Sequence, residues 1–209
     1  MLGYIREKNI FMEAKVIYLS IINEDLKNTL CNVKTYKNML YAANENLLKK
    51  IESNSKKYKN EYPDYPDAED RYANDFFNIE MFNDFSNELL VVLCYKVCEQ
   101  YLKKILFAFT NKNANCDIRV LIAEFLKIKV NLKIIDSWEV IEKIRLINNC
   151  IKHNNSIVSS ELSKKDGKLK KSEKIKLSSD DIDSFLEKIN SFFKSLIAKI
   201  TLSQSDIAI

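Results

Sequence analysis

The sequence predicts an all-α protein, a bundle of about five helices. Three observations carry that expectation. Among 209 residues there are only two glycines, Gly3 and Gly167, and two prolines, Pro63 and Pro66. Sheets and tight turns consume glycine, whereas helix interiors exclude both residue types. Hydrophobic residues make up 46% of the chain, enough for a sizeable core. They recur at three- and four-residue spacing along most of the length.

The elements follow in order within one domain over 1–209. Residues 10–56 read as one long helix or two closely joined ones. Their apolar stripe runs through Val16, Leu19, Ile22, Leu26, Leu30 and Val33, then Tyr36, Leu40, Ala43, Leu47 and Ile51. Such a stripe seeks a partner helix. Residues 57–74 hold both prolines and a cluster of acids, so they read as an irregular linker whose tyrosines pin it to the body. A core bundle occupies 75–200. Its first helix resumes near Asp75, is apolar at every position from 89 to 94, and carries a Glu99–Lys103 pair on its wetter side. "NKNANCD" at 111–117 breaks the pattern before a short helix, "IRVLIAEFLKI".

The next helix has a start signal in "DSWE". Asp136 can cap it and Glu139 can complete a capping box, and it should stop at Asn154–Asn155. Residues 157–177 contain the turn signal Asp166-Gly167 and seven lysines between 164 and 176 against two acids. They read as a mobile basic hairpin or loop. It is either an ordinary solvated face or a basic patch that attracts phosphate. A capped final helix with acids in its first turn carries Phe185, Ile189, Phe192, Phe193 and Leu196 on its core face; "TLSQSDIAI" should fray.

Composition also excludes functions. Phosphate-cradling loops of the GxxxxGK or GxGxxG kind need clustered glycines, so P-loop and Rossmann readings fail. Five cysteines lack a CxxC and there is one histidine, so no metal site or cofactor is expected. Buried thiols in a reducing cytosol are the plain reading. No apolar run approaches a membrane span and the N-terminus lacks a signal-peptide core, so the expected location is cytoplasmic, without membrane association. A net charge of +4 is too small to imply nucleic acid by itself.

The sole histidine lies in "RLINNCIKHNNS". On a helical wheel Val140, Ile144, Ile147 and Ile151 share one sector. Arg145, Asn149 and His153, spaced i, i+4, i+8, form a ridge expected to project away from the core, with Glu142 near its edge. A histidine in a last helical turn is ordinary, since it interacts favourably with the terminal carbonyls when protonated.

"WEVIEKIRLINNCIKHNNS" resembles the signature helix of HEPN domains, a family of small helical bundles. The likeness rests on Arg145 followed by His153, on Trp138 upstream, and on the Asn149-x-x-x-His153 core. "VCEQYLKKIL" is more loosely similar to an earlier family helix, and a short hairpin before the final helix also fits. The resemblance implies a metal-independent RNA endonuclease of the kind that serves as a toxin or phage-defence effector. Arg145 would stabilise the phosphate, His153 would act as general acid or base, and Asn149 would orient His153 or substrate. Lys152, Lys164, Lys165, Lys168, Lys170 and Lys171 would attract RNA. The sequence departs from the family pattern: seven residues separate Arg145 from His153, more than members usually place there. Side chains lean toward the helix N-terminus, so one chain hardly holds one phosphate with both. The expectation is a composite site in a homodimer, with RNA and an antitoxin or associated defence protein as partners. The alternative is a non-catalytic HEPN-like module for RNA or nucleotide binding or for protein interaction.

Overall fold

The computed structural model of the chain describes residues 2–64, 70–111 and 117–205, with side chains between 14 and 202 within those ranges. Six α-helices account for most of them: α1 (Leu2–Glu61), α2 (Ala73–Thr110), α3 (Ile118–Lys127), α4 (Trp138–His153), α5 (Ser160–Lys165) and α6 (Ser179–Ser205). Short 3-10 helices cover Asp70–Tyr72 and Leu132–Ile134. The all-α class is as the sequence predicts.

α1 is a single helix of 60 residues, about 90 Å long at 1.5 Å per residue. It reaches Glu61, so the first residues of the expected linker are helical. Pro63 is the first residue unable to continue it, and Pro disfavours helical geometry in the residue before it. Of the tyrosines expected to pin this segment, Tyr58 packs on Tyr62 and Tyr72 of the same segment and Arg71 lies over the Tyr58 ring; Tyr65 lies outside the described residues.

α2 runs antiparallel to α1. Polar pairs set the register: Asp25–Lys104 at 2.6 Å, Thr29–Tyr101 at 2.8 Å, then Tyr41–Asn87 and Asn44–Asn83. Leu19, Ile22, Leu26, Leu30 and Val33 are buried as the stripe requires, whereas Val16 at its start is exposed. Beyond Val33 the buried face departs from the expected one. Lys37 and Asn44 turn inward with Ile51, while Tyr36 and Leu47 face solvent. The cause is partnership. Lys37 pairs with Asp183 at 2.5 Å and donates to the Ser179 carbonyl, so a buried cation is compensated.

α4 packs on α2, α6 and α5. Trp138 meets Phe192 at 5.8 Å between ring centroids, Phe192 meets Phe193 at 5.0 Å, and Phe193 meets Tyr101 at 6.2 Å. This chain of rings ties α2, α4 and α6 into one core. Reciprocal Ser178–Asp181 hydrogen bonds form a capping box at the start of α6. That helix reaches Ser205, so "TLSQS" is helical instead of frayed, and residues 206–209 lie outside the described residues.

With so little glycine, the chain places other residues in left-handed conformations. Asn111 and Asn155 do so at φ 53° and 48°, joined by Lys129 at 62° and Ser137 at 64°. Lys129 occupies the usual glycine position of a Schellman motif. Its N–H donates to the Leu126 carbonyl, and that of Val130 to Phe125.

The basic hairpin is corrected in form. Its ends do pair: Val158 N–H donates to the Glu173 carbonyl at 2.8 Å and Ile175 N–H to the Ser156 carbonyl at 2.7 Å, around one isolated antiparallel bridge. Between those ends stands α5, capped by Ser159, instead of a strand. Leu162 is fully buried and anchors it, an apolar contact that a bare hairpin tip would lack. Among the described residues no helix is long and apolar enough to cross a membrane.

Candidate functional site

α4 begins at Trp138 without the expected capping box. Ser137 precedes it in a left-handed conformation with no side-chain cap bond, and the Asp136 carboxylate accepts from the Ser137 hydroxyl instead. The helix ends at His153 with Asn154 as its cap and Asn155 left-handed, as the two asparagines predict.

Its buried surface is wider than the wheel implies. Ile144 and Ile147 are fully buried, Val140 and Ile151 only half so, and Ile141, Leu146, Asn148 and Cys150 are buried as well. The expected ridge is therefore split. Arg145 is 8% exposed, Asn149 is half-buried, and His153 is exposed in the last turn. The outward projection expected of Arg145 is corrected: neighbours on α2 and α5 cover that side of the helix near its middle but leave its end open. About 12 Å of helix separates Arg145 from His153. No described hydrogen bond or ion pair links any two of Arg145, Asn149 and His153.

Arg145 has other partners. Its Nε donates to Glu142 Oε2 at 3.1 Å and its Nη2 to Glu142 Oε1 at 2.7 Å. Nη2 also reaches Glu161 on α5 at 3.2 Å. The Glu142 bonds are the main cause that raises the guanidinium's already high pKa, so it stays charged. Nη1 makes no hydrogen bond among the described residues, yet it is not sealed from solvent. The arginine is held from one side by a fork of carboxylate oxygens and keeps donors free on the other.

Beside it opens a cleft of about 460 Å³ between α3, the second 3-10 turn, α4 and α5. Arg145 and the buried Trp138 lie in its wall. Arg119, Lys133 and Lys165 are exposed cations around it, and Glu139, Glu142 and Glu161 line it as well. Four cations therefore meet three carboxylates. Tyr95 stands nearby on α2; burial is the main cause that pushes its phenol up to about 12, and the charge of Glu99 adds to it.

Of the lysines expected to attract RNA, only Lys165 lines this cleft. Lys164 shares its helix and is exposed, as are Lys168, Lys170 and Lys171 beyond it. Lys170 faces Glu173 at 3.8 Å. Lys152 is exposed beside His153 at the far end of α4. α5 is fastened to α4 by Lys143–Asp166 at 2.6 Å, and Lys143 holds the Asp166 carboxyl below its ordinary range.

Sequence reasoning missed Arg119, Lys133 and Glu161 as site residues. They come from three separate elements, and no local spacing joins them. Glu142 could have been found, because Glu and Arg three residues apart on a helix are neighbours. Among the described residues no cluster of metal-ligating side chains occurs. Cys94, Cys98 and Cys150 are buried free thiols and Cys31 is an exposed one; Cys116 lies outside the described residues. Comparison with protein-family models, with curated proteins and with solved structures finds no match to this chain.

Proposed function

We propose that the chain is a non-catalytic helical module that binds a phosphate-bearing ligand of nucleotide size in the Arg145 cleft. The observation that carries this reading is the half-occupied guanidinium. Glu142 orients Arg145 through Nε and Nη2 and leaves Nη1 without a hydrogen bond among the described residues, beside a cleft that Arg119, Lys133 and Lys165 also line. A planar guanidinium suits a phosphate oxygen pair better than a lysine does. The volume falls within the range of small-ligand pockets. Glu161 is the weaker of the two carboxylate partners, at 3.2 Å and largely solvated, so an incoming phosphate can take its place.

Cleavage of HEPN type asks for Arg145 and His153 at one phosphate. In one chain they stand about 12 Å apart along α4, and no hydrogen bond or ion pair among the described residues joins them. RNA cleavage is accordingly the weaker reading, and its outcome is part of the test.

The test combines cleavage and binding. RNA is incubated with the protein in EDTA, and binding of a labelled nucleoside triphosphate is followed in parallel. We expect intact RNA and saturable binding. Arg119→Gln or Lys165→Gln should weaken binding about tenfold, the worth of one charge-assisted hydrogen bond, and His153→Ala should leave it unchanged. RNA cleavage that is lost in both Arg145→Ala and His153→Ala, with the fold intact, would overturn this reading in favour of the endonuclease.

A further inference from the structure

The first four turns of α2 carry a second apolar face that the bundle does not use. At about 100° per residue, Phe77, Met81 and Phe85 climb one ridge with Phe82 beside it. They are 59%, 55%, 62% and 48% exposed. Ile79, Ser86 and Leu90 point the other way, into the bundle. The exposed ridge continues into half-buried Leu89, Val92 and Leu93. Phe82 also borders a groove of about 380 Å³ shared with Leu47 and Ile51 of α1.

Single exposed apolar residues are ordinary, but contiguous ones are not. A phenylalanine carries about 150–250 Å² of surface, so these four half-exposed side chains leave roughly 400 Å² of apolar area open to water. That is about half of what one partner contributes to a standard interface, and the larger part of its apolar centre.

We propose that this face is the interface of a two-fold homodimer, with α2 of one copy antiparallel to α2 of the other. The charges on the face favour a second copy over another partner. Asp75 lies about 15 Å before Phe85 along the helix and Lys96 about 16 Å after it. Both are exposed, and neither has an ion pair among the described residues. A two-fold axis through Phe85 sets Asp75 of each copy opposite Lys96 of the other, at both ends of the contact. The same register puts Phe85 against its own counterpart and Met81 beside Leu89. A two-fold interface must be complementary to itself, and this face is. The pairing is independent of the Arg145 cleft, and it differs from a dimer built by apposing α4 helices.

Sedimentation equilibrium of the full chain tests it. We expect wild type at twice the chain's mass. Phe85→Asp should weaken dimerisation at least about thirtyfold, because two like charges would meet on the axis. Asp75→Lys and Lys96→Asp should each weaken it several-fold, and the two together should restore it. Circular dichroism confirms folding; because Phe85, Asp75 and Lys96 are exposed, these variants are expected to keep their helix. A wild-type monomer at micromolar concentrations, an unaffected dimer in Phe85→Asp, or failure of the double reversal to recover would overturn the proposal.

Discussion

Replacing Glu142 with glutamine tests whether Arg145 is a buried, oriented cation. The guanidinium is nearly enclosed, while Glu142 keeps more contact with water; their side chains are 10% and 23% exposed. Two hydrogen bonds, at 2.7 and 3.1 Å, join them. At an effective dielectric constant of about 20 the attraction is worth about 4 kcal/mol, and desolvation of the arginine offsets a large part of it. Glu142→Gln leaves the cation enclosed, with only Glu161 and a neutral amide beside it. The expected loss is about 2 kcal/mol, or roughly 4–8 °C in Tm for a chain of this size. Arg145→Met frees a carboxylate that water can still reach, so about 1 kcal/mol is expected. The double variant should be no worse than Arg145→Met alone, giving a coupling of about 2 kcal/mol. Urea unfolding of the four proteins measures it. Additive losses, or a Glu142→Gln variant within about 0.5 kcal/mol of wild type, would show that Arg145 is not held by Glu142.

Four further outcomes are expected. Lys129→Gly should raise stability by about 0.5–1 kcal/mol, since glycine adopts the left-handed position without the Cβ clash; a loss in urea midpoint would contradict the Schellman geometry. Alkylation of the native protein at pH 8 should modify Cys31 and spare Cys94, Cys98 and Cys150 until the chain unfolds. Burial raises the Cys94 thiol to about 12 and pushes Cys98 up as well, and mass spectrometry of the labelled peptides reads the pattern. Those thiols and Tyr95 favour their neutral forms in the fold, so the stability they bring is complete below the unfolded values, near 8.5 and 10, and is lost as pH rises toward about 12. Thermal melts from pH 8 to 11 should show Tm falling; a flat profile would refute the buried placement. Asp166→Asn should speed hydrogen exchange in 160–169 by releasing the Lys143 contact, and unchanged exchange would mean that Leu162 alone holds α5.

The helices were legible where periodicity, caps and breakers agree. Ser178 and Asp181 announce α6, Asn154–Asn155 end α4, and Pro63 stops α1. Burial was less legible. Lys37 and Asn44 look solvated on a wheel, and only contacts with α6 and α2 turn them inward. Arg145 was misplaced for a related reason. A wheel shows which side of α4 is polar, but not that α5 folds back over that side. α5 itself was hidden because six residues are too few for a periodic signal, and its stability comes from the buried Leu162 and the Asp166 ion pair. Of the candidate residues, Arg145 and Lys165 share a cleft, whereas Asn149, Lys152 and His153 belong to the other half of α4.

Trp138, the chain's only tryptophan, lines the cleft and reports on it directly. The most direct test is a fluorescence titration with inorganic phosphate and with ATP, in wild type and in an Arg119→Gln, Lys165→Gln variant. An anion site at Arg145 predicts a saturable change in Trp138 emission for wild type that weakens as salt is raised, with affinity at least about tenfold lower in the variant. Emission that does not respond, or responds identically in both proteins, would contradict an anion site at Arg145.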